Sequence, residues 1–133
     1  MIKYFIIILV PFCISSCVHS SYSKKDLTGT YYNKNYQFID SLIIKEDNYE
    51  HYIFANSSKK KLLYKSRNKW NVYEKRLVIF QGFYLKNKED YHLTNDKNIT
   101  SDLLITAAFD INKSIFGTII IERDFWNTFE KIN

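Results

Sequence analysis

Short segments rich in apolar and aromatic residues, each followed by a polar turn, are the feature that most limits the fold of this chain. From Leu27 onward they recur at intervals of roughly 8–12 residues, the spacing typical of small β-proteins. Aromatic and β-branched residues favour strands. The sequence therefore predicts an all-β domain of roughly eight or nine antiparallel strands, with no long helix.

The predicted strands are Leu27 to Tyr32, Phe38 to Lys45, Tyr49 to Ala55, Lys61 to Lys65, Trp70 to Tyr73, Leu77 to Leu85, Leu103 to Ile111, Ser114 to Glu122 and Phe125 to Ile132. Gly82 predicts a bulge or bend inside its strand. Asn112-Lys113 is the predicted hairpin turn, because Asn tolerates positive φ. The last segment also fits helical spacing, but we favour a strand that pairs near the first.

The N-terminus combines a positive residue, an apolar run and a cysteine. Lys3 precedes a nearly unbroken apolar stretch from Tyr4 to Ile14, which Ser15, Ser16 and Cys17 close. The stretch is shorter than the roughly 20 residues that a membrane-spanning helix needs. It indicates a cleaved export signal.

This arrangement resembles the signal peptide and lipobox of bacterial lipoproteins. The resemblance implies cleavage between Ser16 and Cys17 and a lipid attached to the Cys17 thiol, by which the chain is anchored to the membrane. We expect residues 1–16 to be the signal peptide, 17–26 a lipidated, flexible tether and 27–133 a single β-domain. Cleavage would remove Cys13, so the mature chain would have no disulfide. A tether without an acidic run favours the outer membrane, facing the periplasm.

Within the domain, Gly29-Thr30-Tyr31, a strand containing Asp40-Ser41-Leu42, and Trp70 after a basic turn resemble small lipocalin-like lipoproteins. The resemblance implies a barrel that holds an apolar ligand or none. The alternation of apolar and polar residues fits a β-sandwich equally well, so that alternative stays open.

Most of the excess positive charge lies between Lys59 and Arg76, where eight basic residues accompany a single acidic one. Such a stretch could contact anionic head groups or an acidic envelope polymer. A solvated face, with lysines that prevent edge-to-edge strand pairing, is the alternative interpretation. Export to the envelope argues against nucleic acid as a partner.

The sequence predicts no catalytic or metal site and no cofactor. His19, His51 and His92 lack metal-ligand spacing. The Ser-x-x-Lys spacing at Ser21–Lys24 falls in the predicted tether, and the acidic residues of the polar stretch Lys86 to Asp102 lack the calcium-loop pattern. The aromatic side chains are predicted to be core packing rather than a ligand surface. They are Tyr31, Tyr32, Tyr36, Tyr49, Tyr52, Trp70, Tyr73, Phe80, Phe83 and Tyr84.

These observations predict a membrane-anchored, monomeric, non-catalytic lipoprotein of the bacterial envelope. The first hypothesis is a module that binds an apolar ligand or an envelope component. The second is a structural, inhibitor or immunity-type lipoprotein that binds another protein. The first predicts an internal cavity. The second predicts a filled core and an exposed aromatic or basic surface, and bulky aromatic residues slightly favour it.

Overall fold

The computed structural model describes residues 20–33, 38–55, 61–87 and 99–132. Helix α1 spans Lys24–Leu27, and a 3-10 turn spans Ser101–Leu103. The strands are β1 Gly29–Asn33, β2 Ile39–Ile44, β3 Tyr49–Phe54, β4 Leu62–Asn68, β5 Trp70–Tyr73, β6 Leu77–Tyr84, β7 Leu104–Lys113, β8 Ile119–Asp124 and β9 Asn127–Lys131. In the described residues, no helix is both long and apolar enough to cross a membrane.

All nine strands form one antiparallel sheet in the order β4-β3-β2-β1-β9-β8-β7-β6-β5. The outermost strands β4 and β5 are joined through Lys69, whose carbonyl accepts a hydrogen bond from the Gln81 amide at 3.0 Å. The segment from β4 to β5 thus pairs with β3 through its first part and with β6 through its second. The sheet is a nearly closed barrel, which confirms the predicted all-β barrel over the sandwich.

The up-and-down order gives the barrel two distinct ends. The tether end carries α1 and the turns at 45–48, 74–76 and 114–118. The loop end carries the turn at 125–126, the last residues of β1, β3 and β6 and the first residues of β2, β4 and β7. Strand β8 runs from the tether end to the loop end, and its six residues place the two ends about 20 Å apart along this strand.

The N-terminal segment closes the tether end instead of extending freely from Ser20. Ser23 caps α1 through a capping box with Asp26. Leu27 is completely buried, and its carbonyl accepts a hydrogen bond from the Tyr31 hydroxyl at 2.8 Å. Tyr22 is also buried, and its amide donates to the Lys75 carbonyl. Residues 20–26, predicted to be the end of a flexible tether, are therefore held against the barrel, since Tyr22 before the helix and Leu27 at its end are both buried.

The interior is built mainly from aromatic rings. The Phe83 ring lies 5.3 Å from the ring of Phe80 and 5.0 Å from that of Phe109, between ring centroids. Tyr49 packs edge-on against Phe80 at 4.7 Å. All four side chains are completely buried. The predicted core packing is confirmed for six of the ten aromatic residues, Tyr31, Tyr49, Trp70, Phe80, Phe83 and Tyr84. Tyr32 and Tyr52 are half-buried, Tyr73 is exposed, and Tyr36 lies outside the described residues.

The bulge predicted at Gly82 is confirmed. The pairing register between β6 and β7 shifts between Phe80 and Phe83. Gly82 has φ of +56°, and a Cβ atom there would collide with the Asn68 amide on β4. Glycine is needed because the backbone is left-handed and β4 approaches closely.

A left-handed backbone at a non-glycine residue costs about 1–3 kcal/mol. Gly82→Ala is expected to lower the free energy of unfolding by more than this strain alone, because the Asn68 amide must also move. Gly117→Ala is the matched control. Gly117 has φ of +81° but no atom near its Cβ position, so strain alone applies. Urea denaturation of both variants measures the difference, and equal losses would contradict the steric contribution of Asn68.

The hairpin turn predicted at Asn112-Lys113 is wrong. Both residues continue β7 and pair with β8, and the turn occupies residues 114–118. The Ser114 hydroxyl accepts hydrogen bonds from the amides of Phe116 and Thr118, at 3.3 and 3.1 Å. Gly117 supplies the positive φ. Ser114 and Gly117 thus provide the turn chemistry that we had assigned to Asn112.

Candidate functional site

Three ionisable side chains meet inside the barrel, on the side of the loop end. Asp40 lies on β2, His51 on β3 and Lys86 just after β6. Asp40 and His51 point inward because they belong to the buried, alternating positions of their strands. Leu42 is the direct cross-strand partner of His51, so Asp40 is its diagonal neighbour. We call Asp40, His51 and Lys86 the buried ion cluster.

Direct contacts join the buried ion cluster. Asp40 Oδ1 is 2.7 Å from His51 Nε2, and Asp40 Oδ2 forms an ion pair with Lys86 Nζ. The Asn33 amide on β1 donates to the same Oδ2 atom at 3.2 Å. All three ionisable side chains are completely inaccessible to solvent. The Asp40 carboxylate is therefore the centre of the cluster.

Lys86 is positioned through both its backbone and its ammonium group. The Asn127 side chain accepts from the Lys86 amide at 2.9 Å and donates to the Lys86 carbonyl at 2.7 Å. Asp124 fixes that side chain by accepting from its amide at 2.9 Å. The Lys86 ammonium lies 4.8 Å from the centroid of the Phe129 ring, within cation–π distance. The backbone contacts bring Lys86 inward, although the sequence places it at the start of a polar stretch.

Burial and charge determine the protonation of the buried ion cluster. Burial disfavours the charged form of Asp40, but the neighbouring Lys86 and His51 outweigh burial, so the pKa of Asp40 lies below its ordinary value. Burial is the main reason that the pKa of His51 is also lowered, and the attraction of Asp40 only partly opposes it. A neutral His51 donates through Nε2 to an ionised Asp40. The buried ion cluster therefore consists of the ion pair between Asp40 and Lys86 and of the neutral His51 imidazole, which lies between aromatic rings.

The His51 ring is enclosed by aromatic neighbours. It stacks on Phe83 at 4.7 Å with an angle of 14°, and Tyr64 packs edge-on at 5.3 Å. His51 Nδ1 has no hydrogen-bond partner among the described residues. The imidazole could in principle move a proton, but it lies fully buried, with no described hydroxyl in hydrogen-bond contact with Nδ1. The imidazole is therefore held by its contact with Asp40 and by packing between aromatic rings.

Stability is expected to decrease with acid in two steps. Because the pKa of His51 is lowered on folding, the unfolded chain binds a proton first, and stability falls as the pH drops below about 6.5. The pKa of Asp40 is also lowered, so a second loss begins near pH 4, about where an unfolded aspartate protonates. Urea denaturation between these pH values measures the first step. His51→Gln should remove much of it, and an unchanged pH dependence in that variant would contradict the assignment.

The structure describes only some of the candidate site residues that the sequence analysis named. Cys17, His19, His92, Glu89, Asp90 and Asp96 lie outside the described residues. Asp102 is exposed and bonded to the Thr100 hydroxyl. In the described part of the chain, no three His, Cys, Asp or Glu residues are grouped so as to hold a metal ion.

Sequence reasoning missed the buried ion cluster. Asp40 and His51 occupy inward positions of strands whose other inward residues are apolar, and that mismatch is the one signal that was present in the sequence. The sequence contained no such signal for Lys86, because this residue follows β6 and belongs to no alternating pattern. A comparison of the chain with protein-family models, curated proteins and solved structures found no match.

Proposed function

We propose that this protein is a lipid-anchored, non-catalytic binding protein of the bacterial envelope. It binds its partner through the outer surface of a filled barrel. The proposal joins the lipobox-like sequence that ends at Cys17 with the packing of the barrel interior. It favours the second hypothesis of the sequence analysis over an apolar ligand held inside. The partner is an envelope protein or polymer.

The proposal depends on one observation: side chains fill the part of the barrel interior that the structure describes. Large aromatic side chains from β3, β6, β7 and β9 contact one another across the barrel. The remaining space towards the loop end holds the buried ion cluster. A fatty or aromatic ligand in that space would have to displace Phe83 or separate Asp40 from Lys86, and both changes are costly. Contacts from the outer surface need neither change.

The basic stretch suggests the chemistry of the partner. On and beside β4 and β5, the basic side chains are exposed to solvent. The described ones are Lys61, Lys65, Arg67, Lys69, Lys75 and Arg76. Lys65 also covers the Tyr52 ring at 5.3 Å, which adds an aromatic surface to the positive one. An acidic envelope component is the partner that such a surface would attract.

The lipid anchor is tested by intact mass and detergent partitioning after expression in a bacterium that processes lipoproteins. The proposal predicts a chain that begins at residue 17 with an added diacylglyceryl mass, and Cys17→Ser should abolish both the added mass and the partitioning into detergent. Cys13→Ser is the matched control, because that cysteine should leave with the signal peptide. A soluble, unacylated wild-type chain would refute the anchor.

Binding through the outer surface is tested with the unacylated Cys17→Ser chain. We expect it to co-sediment with isolated envelope fragments at low salt, and Lys65→Glu to weaken that binding. Arg123→Glu is the control, because Arg123 is also exposed but lies on β8, away from β4. Equal losses in the two variants would show that only net charge matters, and would contradict a specific basic surface.

A further inference from the structure

The turn between β7 and β8 presents two large apolar side chains to solvent. Ile115 is 94% exposed and Phe116 is 89% exposed, more than the other exposed large apolar side chains of the described residues. The turn itself is well defined, with Ser114 and Thr118 hydrogen-bonded to each other across it. Adjacent protruding apolar residues on a defined turn mark a contact with a membrane or a protein. We call Ile115 and Phe116 the apolar tip.

The N-terminal segment leaves the barrel at the same end. The Tyr22 amide is bonded to the Lys75 carbonyl, and the Lys113 ammonium lies 5.8 Å from the centroid of the Tyr22 ring. Ser20 lines a surface depression together with Tyr22, Arg76 and Lys113. Lys113 is only two residues before the apolar tip. The N-terminal segment therefore leaves the barrel beside the end of β7, and the apolar tip directly follows the same end.

The distance from Ser20 to the expected lipid is short. Ser20 is three residues after Cys17, and three residues span at most about 11 Å. An acylated Cys17 would therefore hold the tether end close to the bilayer, because the remaining chain is too short to let the barrel move away. The loop end, about 20 Å along β8, would face away from that surface.

The charge beside the apolar tip suits an anionic lipid surface. Lys113 and Arg76 line the surface depression beside Ser20, and Asp110 is the acidic residue in the lining that the structure describes. Basic residues next to a membrane anchor strengthen attachment to anionic lipid. Lys113 and Arg76, nearest the apolar tip, are both exposed.

We propose that the tether end docks on an anionic lipid bilayer, with Ile115 and Phe116 inserted among the head groups and Lys113 and Arg76 beside the lipid phosphates. This inference rests on the proposed lipid anchor and adds an orientation to it. The membrane is the occupant because the short segment before Ser20 leaves little room for a protein between this end and the bilayer. The outer basic strand β4 then remains available to a partner.

Phe116→Trp and Phe125→Trp form a matched pair that tests the orientation. Both positions are exposed phenylalanines in turns, at the two ends of β8, and Phe125 is 63% exposed. Each variant, fully processed and acylated, is reconstituted in vesicles of phosphatidylethanolamine with a minor share of phosphatidylglycerol, with and without brominated acyl chains. Wild-type protein supplies the background emission of Trp70 and Trp126.

Docking predicts that brominated lipid quenches the added emission of Phe116→Trp several-fold and leaves that of Phe125→Trp unchanged. Acylated, floating protein with equal quenching at the two positions would overturn the docking while the anchor stands. An unacylated chain that fails to float with vesicles would overturn the anchor and the docking together. The mass of each preparation separates these two failures.

Charge reversal gives a second test that does not require acylation. Each basic residue at an anionic surface strengthens partitioning by about fivefold. Lys113→Glu in the Cys17→Ser chain should therefore weaken partitioning into phosphatidylglycerol-containing vesicles by about fivefold or more. Arg123→Glu, away from the tether end, should have a much smaller effect. Equal effects of the two reversals would overturn the proposed contact between Lys113 and the lipid phosphates.

Discussion

Asp40→Asn is expected to lower the free energy of unfolding by about 3–5 kcal/mol, the usual result of removing one partner of a buried ion pair. The amide leaves the Lys86 ammonium inside the barrel without its counter-charge. It also weakens the contact with His51. Equilibrium urea denaturation at neutral pH, followed by far-ultraviolet circular dichroism, measures the loss.

The double variant Asp40→Asn, Lys86→Met separates the ion pair from the space that it fills. Removing both charges together should recover much of the stability that either single variant loses, because no uncompensated charge remains. Lys45→Met is the control for an exposed pair, since Lys45 contacts Glu50 at 3.1 Å near the surface. That change should cost less than about 1 kcal/mol. Losses from Asp40→Asn as small as this would contradict the central role of the pair.

Phe83→Ala is the second large expected effect, again a loss of about 3–5 kcal/mol in the free energy of unfolding. The Phe83 ring contacts the rings of Tyr49, Phe80, Phe109 and His51, and it is completely buried. Its removal leaves a cavity that stiff aromatic neighbours cannot fill by small movements. Urea denaturation of the variant measures the cost.

Phe116→Ala is the matched control for Phe83→Ala, because it makes the same chemical change at a position that is almost fully exposed. The stability of that variant should stay within about 0.5 kcal/mol of wild type. A loss at Phe83 as small as that at Phe116 would show that the interior is loosely packed. The description of a filled barrel would then be wrong.

The strands were largely predictable because each is specified by its own residues. The segment of β3 is identified by Tyr49, Tyr52, Ile53 and Phe54, which are aromatic or β-branched residues between two polar turns. The Gly82 bulge was predictable for the same local reason. The turn at 114–118 was not, because either Asn112 or Gly117 could supply the required φ, and only cross-strand pairing decides between them.

Features that depend on distant parts of the chain were not predictable. A barrel and a sandwich give the same alternation, and the distinction rests on how β4 continues through Lys69 into β5. The buried ion cluster joins residues 40, 51 and 86, and it needs Asn127 from a fourth segment to hold Lys86 in place. Tyr22 gave no periodic signal, yet its burial fixes the N-terminal segment to the barrel.

Uptake of an apolar ligand tests the central claim most directly. The unacylated Cys17→Ser chain is titrated with a fluorescent polyene fatty acid, beside a fatty-acid-binding protein as the positive control. The account predicts no saturable uptake by the Cys17→Ser chain under conditions in which the control binds the probe. Saturable binding of one fatty acid per chain with Phe83 in place, displaced by an unlabelled fatty acid, would contradict a filled barrel and restore the ligand-carrier hypothesis.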